Sequence, residues 1–199
     1  MKYSTMTSVL IIFAKNPVLG KVKTRLADAL GEENALLIYQ KLLQHTCLIT
    51  INISTDKYVF YLEYINHNDL WKNELYKKEL QAGNDLGERM KNAFELLFQK
   101  GYKEVVVIGS DCYELTEAII INAFDHLKRN EVVIGPAKDG GYYLLGMNVF
   151  IPQLFNGKSW STSKVCQETL EEIKSGNYSM FQLPALNDVD TPEDVSFRF

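Results

Sequence analysis

Two basic and acidic groupings in this 199-residue chain carry residue types suited to phosphate and metal chemistry. The first is Lys15-Asn16-Pro17-Val18-Leu19-Gly20-Lys21-Val22-Lys23-Thr24-Arg25, a stretch with four cations and no acid. Lys21, Lys23 and Arg25 alternate, so in extended chain all three would point the same way. Gly20 permits a positive φ or a close approach of the backbone to a ligand. Such side chains, with free amides at a following helix start, suit a phosphate group; the bland reading is a solvated basic loop. A P-loop is excluded, because Lys15 stands where that motif needs Gly and Val22 where it needs Ser or Thr. No Gly-x-Gly-x-x-Gly follows any expected strand.

The acidic grouping is dispersed. Asp111 follows the apolar run Val105–Ile108, and the next helix already has its N-cap in Thr116 with Glu117 behind it. Asp111 is therefore left without a capping task, and a carboxylate at a strand end suits a hard cation such as Mg²⁺. Asp188 and Asp190 lie two apart in chain expected to be extended, on one face. Like charges side by side are costly unless compensated, and a metal ion is the simplest compensator. Thr191, Pro192 and Asp194 read as an ordinary helix start. Asp139-Gly140-Gly141 suits either a hairpin turn or a close backbone approach to a substrate, with Asp139 able to orient or deprotonate a hydroxyl. Arg89 sits in the first turn of a helix, the wrong end of the dipole for a cation, where it would balance an anion or pair with a nearby acid.

These residues need a scaffold, and the patterning supplies one. Val9–Ala14 and Val105–Ile108 are unbroken apolar runs, the kind found in parallel strands buried on both faces. Residues 58–64 and 132–134 read as further strands. Helices are expected over 32–47, 116–127 and 163–173, and after Asp85, where Glu88 completes a capping signature and Met90, Ala93, Phe94, Leu97 and Phe98 form one stripe. Alternating strands and helices predict an α/β fold with a mostly parallel sheet, whose ligands sit beyond the carboxyl ends of the strands.

Composition sets the bounds. A 46% hydrophobic fraction and 12% aromatics exclude a disordered chain, and the length suits a single domain over 1–199. A net charge of −4 argues against a nucleic-acid coat. Cys47, Cys112 and Cys166 form no Cys-x-x-Cys pair, so a zinc ribbon or a secreted disulfide framework is not expected. The apolar run near the N-terminus is too short for a membrane span or signal segment. A cytoplasmic protein is expected.

The segments FAKNPVLGKVKTRLA, GNDLGERM, IGSDCYELT, GPAKDGGYYLLGM and DVDTPEDV, in that order, resemble the rSAM/selenodomain-associated transferases, a GT-A-like family. The resemblance runs from about Val9 to Val195. It implies the nucleotide-diphospho-sugar transferase fold, a Rossmann-like α/β/α sandwich with a mixed, mostly parallel sheet. Lys23-Thr24-Arg25-Leu26 and the aspartates are more distantly similar to 2-phospholactate and molybdenum-cofactor guanylyltransferases. By that likeness Lys15, Gly20, Lys21, Lys23, Thr24, Arg25 and Arg89 would bind nucleotide phosphates. Asp111 would hold Mg²⁺ or Mn²⁺ with Asp188 and Asp190, and Asp139, Gly140 and Gly141 would face the acceptor. Ser110-Asp111-Cys112 offers one Asp where GT-A glycosyltransferases commonly carry Asp-x-Asp; Tyr113 replaces a usual Pro. The implied activity is transfer from a nucleotide-sugar to a small-molecule acceptor. Nucleotidyl transfer from an NTP to a phosphorylated acceptor is the alternative, and a nucleotide-binding module without turnover is the reading from another class.

Overall fold

Apolar runs without alternation bury both faces of a strand, and the computed structural model, which describes residues 7–198, shows where those faces go. The strands are β1 (Ser8–Ala14), β2 (Asp56–Tyr61), β3 (Lys77–Leu80), β4 (Glu104–Ile108), β5 (Val132–Pro136), β6 (Tyr142–Met147) and β7 (Met180–Gln182). They form one seven-stranded sheet in the order β3-β2-β1-β4-β6-β5-β7. Every neighbouring pair is parallel except the two made by β6, which runs antiparallel to β4 and β5.

The helices are α1 (Thr24–Leu30), α2 (Glu32–Thr50), α3 (Leu86–Gln99), α4 (Glu117–Leu127) and α5 (Val165–Ser175). Successive strand residues point to opposite faces, and each face has its own core. Leu10, Ile12, Val59, Val106 and Val133 pack under Leu26 of α1, Ile38 and Leu42 of α2, and Ile120 of α4. Val9, Ile11, Phe60, Val105, Val107 and Ile134 pack under Met90, Phe94 and Leu97 of α3 and Ile173 of α5. This is the predicted α/β/α sandwich with a mixed sheet. The caps also agree: Asp85 accepts from the Glu88 backbone N–H at 2.8 Å, and Thr116 from that of Ile119 at 3.4 Å.

Three differences have local causes. β2 ends at Tyr61 rather than at 64, because Asn16 Oδ1 takes the Glu63 and Tyr64 amides away from the ladder. β3 and β7 escape the apolar pattern because they are short outer strands, β3 being Lys-Lys-Glu-Leu. The expected helix at Pro192 is a single 3₁₀ turn over Pro192–Asp194. Because the chain runs from β1 to β2 and β3 on one side and to β4 on the other, the β1/β4 boundary is the topological switch point of the sheet.

Candidate functional site

The chain leaving β1 at Lys15, β4 at Gly109, and the segment that follows β7 all open on one cleft of about 860 Å³. The hairpin between β5 and β6 closes it on one side. Lys15, Lys23, Arg25, Arg89, Asp111, Asp139, Gly141, Asp188 and Asp190 line it. Gly20, Lys21, Thr24 and Gly140 do not line it, and the absence of Lys21 beside Lys23 and Arg25 corrects the expectation that all three point the same way.

The alternation argument fails because the loop is not extended. A turn returns the Lys21 N–H to the Val18 carbonyl at 3.1 Å, with Gly20 at φ 74°. Lys23 then takes a left-handed backbone, φ 48° and ψ 49°, immediately before α1. Lys21 is sent outward to an ion pair with Glu63 at 3.0 Å, while Lys23 is turned inward with a side chain only 7% exposed. Thr24 merely begins α1 on the exposed surface.

Lys23 is the hub. Its ammonium lies 3.2 Å from Asp111 Oδ2 and 3.0 Å from Asp190 Oδ1, and Arg25 Nη1 stands 3.6 Å from Asp190 Oδ2. Burial disfavours the Lys23 charge, but the two carboxylates outweigh it and raise its pKa. Burial likewise opposes ionisation of Asp111, yet the Lys23 charge and hydrogen bond hold its carboxyl below the usual range. Asp188 differs. Its Oδ1 is buried without a hydrogen-bond partner, and its pKa is pushed up to about 8, first by burial and then by the negative charges of Asp111 and Asp139.

Backbone bonds hold the acids in place. The Val189 N–H donates to the Asp111 carbonyl at 2.9 Å, tying the late acidic segment to the end of β4. Asp194, read from sequence as part of a helix start, accepts from Asn187 Nδ2 at 2.6 Å, Asp190 N at 3.1 Å and Thr191 N at 2.7 Å. It thus holds the chain that carries Asp188 and Asp190.

Asp139-Gly140-Gly141 is the connection of a β-hairpin. Asp139 Oδ1 accepts from the Gly141 N–H at 2.8 Å, so this exposed acid has a structural task as well as a place on the cleft. Gly140 is required twice over: its φ is 91°, and a Cβ there would lie 2.0 Å from the Ser163 carbonyl oxygen. Arg89 lines the cleft and donates Nε to the Gly83 carbonyl at 3.1 Å. Among the described residues, the ion pairs within the cleft use Lys23 and Arg25 alone, which leaves Lys15 and Arg89 facing it without a carboxylate.

Sequence reasoning missed several members. Tyr39, on the apolar stripe of α2, places its hydroxyl where it accepts from Lys15 N at 2.8 Å and lies 3.2 Å from Ser110 Oγ. It joins the chain leaving β1 to that leaving β4, and burial pushes its pKa up to about 12. Gln81 and the Trp160-Ser161-Thr162-Ser163 segment also line the cleft. The Trp160 indole fits over Gly87, where a Cβ would come within 2.1 Å of Nε1. A lone Gln or Trp carries no spacing to read.

The acids can be tested against the implied divalent cation. Their chemistry fits: three carboxylates, one with a buried, unpartnered oxygen, are hard oxygen donors. Their arrangement is not yet a coordination shell. Among the described residues no three His, Cys, Asp or Glu side chains are gathered closely enough to hold a metal ion, and Lys23 bridges Asp111 and Asp190 instead.

A model of the family described as "Uncharacterized protein conserved in bacteria (DUF2064)" matches residues 48–162. No curated protein matches the chain. Among solved structures, a protein of Desulfovibrio desulfuricans G20, provisionally assigned as a nucleotide-diphospho-sugar transferase, is 34% identical with a TM-score of 0.86; the match covers 94% of this chain and 83% of that one. The 4-diphosphocytidyl-2C-methyl-D-erythritol synthase of Anaerococcus prevotii DSM 20548 superposes with a TM-score of 0.61 at 12% identity, over 95% and 92% of the two chains. A Mycobacterium tuberculosis H37Rv protein in complex with manganese gives 0.55 at 11%, over 96% of each. The last two likenesses are of fold. Among the described residues, no helix is long and apolar enough to cross a membrane.

Proposed function

The chain belongs to the bacterial DUF2064 family, and from that premise we propose that it is a transferase drawing on a nucleotide-activated donor, in first place a nucleoside-diphosphate sugar. One observation carries the reading: an aspartate cluster bridged by a buried lysine at the switch point of the sheet, with Lys15, Arg25 and Arg89 around the same cleft. The 34% identical Desulfovibrio protein supports the same donor class.

In this reading Asp111, Asp188 and Asp190 hold Mg²⁺ or Mn²⁺, which when bound supplies positive charge against a departing phosphate. Arg25 and Arg89 bind the donor phosphates, where a planar guanidinium can grip two oxygens at once, and Lys15 adds a point charge. Asp139 sits on the acceptor side. Its Oδ1 is taken by the turn, and its other oxygen remains for the proton of an acceptor hydroxyl. Gly141 lets the backbone come close there. The single Asp111 at the end of β4, in place of an Asp-x-Asp pair, favours a second reading, nucleotidyl transfer from an NTP to a phosphorylated small molecule. Three free cysteines support work in a reducing compartment, the cytoplasm.

A thermal-shift screen of nucleotide-sugars and nucleoside triphosphates, each with and without Mn²⁺, tests the reading, since ligands of the native state raise its melting temperature. A metal-dependent rise is expected for at least one donor, and Asp111→Asn should lose the metal-dependent part. No shift with any nucleotide sinks the proposal; a shift with triphosphates alone selects the second chemistry.

A further inference from the structure

The chain neutralises its own carboxylates. Lys23 places one ammonium within 3.2 Å of Asp111 Oδ2 and 3.0 Å of Asp190 Oδ1, the kind of oxygens a hard cation takes. The lysine is held there. Its left-handed backbone turns it inward before α1, and the flanking Val22 and Leu26 are buried in the core beneath the loop. Arg25, two residues on, is 73% exposed and has no comparable hold. One ammonium serves only two of the three acids, and Asp188 Oδ1 is left buried without a partner.

We propose that Lys23 is a built-in competitor of the divalent cation: its ammonium keeps Asp111 and Asp190 in a charge-balanced, metal-free arrangement, and the cation binds tightly only when that ammonium leaves. This rests on the metal reading given above. The physical reason is direct, because two cations sharing the same carboxylate oxygens would repel at close range in a partly desolvated site. The phosphates of a donor offer the ammonium another partner. Donor and metal then favour each other's binding, since such a coupling is reciprocal. The free protein is held in a low-affinity state for metal until the donor arrives.

The test uses Mn²⁺ alone, with no nucleotide, so that a phosphate-binding role of Lys23 does not enter. Calorimetric titration of the parent, Lys23→Met and Lys23→Arg gives the comparison. Lys23→Met should bind Mn²⁺ tighter by on the order of 10- to 100-fold, the range to which hydrogen bonds with charged groups convert. Lys23→Arg keeps the charge and should gain nothing. Without Mn²⁺ the methionine variant should melt below the parent, its carboxylates being uncompensated, and Mn²⁺ should raise its Tm by more than the parent's. Should it fail to fold, Lys23→Gln removes the charge while keeping a hydrogen-bond donor, and its Mn²⁺ affinity is compared in the same way. Equal or weaker Mn²⁺ binding by the uncharged variants overturns the competitor role while leaving the metal reading intact, provided the parent binds. Absence of binding in parent and variants alike overturns both.

Discussion

The two walls of the cleft are built on different principles. One wall, made of the Lys23 loop, Asp111 and the 188–190 segment, adds to its backbone bonds a set of charges brought together from distant parts of the chain: Lys23 meets Asp111 across 88 residues and Asp190 across 167. A second wall, the 137–141 hairpin against the 160–163 segment, is held by backbone geometry, and its Lys138 N–H donates to the Leu186 carbonyl at 2.9 Å, just before the 188–190 segment. There Asp139 bonds its own turn, Gly140 takes a positive φ, and Gly140 O accepts from Cys166 N at 3.0 Å. The side-chain ion pairs of the first wall can change partners when an ion or phosphate arrives, because such contacts are exchangeable. Backbone bonds and a positive-φ glycine have no such alternative partners, so the second wall keeps its shape.

Three substitutions sharpen that contrast. Gly140→Ala strikes the rigid wall, since the added Cβ would meet the Ser163 carbonyl at 2.0 Å in a conformation alanine disfavours. A loss of about 3 kcal/mol is expected from the overpacking and strain together, measured as a lower urea midpoint. The folded fraction should still bind Mn²⁺ as the parent does, and a large change there would mean the walls are not independent.

Asp188→Asn strikes the charged wall through pH. With its pKa held near 8 by burial and neighbouring charge, Asp188 stays protonated in the folded chain at pH values where the unfolded chain has lost the proton. The stability this contributes is complete below the unfolded value of about 3.9, declines as pH rises, and is gone above about 8. The metal-free parent should therefore show a Tm that falls by on the order of several degrees over that window and then levels off. Asp188→Asn has no proton to lose and should flatten the fall. An unchanged slope in the variant would assign the pH dependence elsewhere.

The smallest effect belongs to Lys21→Ala. Its pair with Glu63 is exposed on both sides, and such pairs contribute about 0–1 kcal/mol. Stability and Mn²⁺ affinity should both stay close to the parent's. A marked loss of Mn²⁺ binding would show that the loop acts as one basic unit rather than as an outer and an inner part.

What the amino-acid sequence determined by itself is what neighbouring residues can decide. The apolar runs at Val9 and Val105 specify buried parallel strands, because a strand covered on both faces has no polar side to alternate. Asp85 and Thr116 specify helix starts, because a cap acts on amides two or three residues away. Asp111 stood out for having no such local task. Only the tertiary structure decided that Lys21 and Lys23 part company, since a left-handed lysine carries no mark in its residue type. It alone decided that Tyr39 joins β1 to β4, since a tyrosine on an apolar helix stripe looks like any core residue. It alone decided that Lys23 stands between Asp111 and Asp190. Such partners are set by the register of a seven-stranded sheet and the path of its loops. Those emerge only when contacts far apart in sequence are satisfied together.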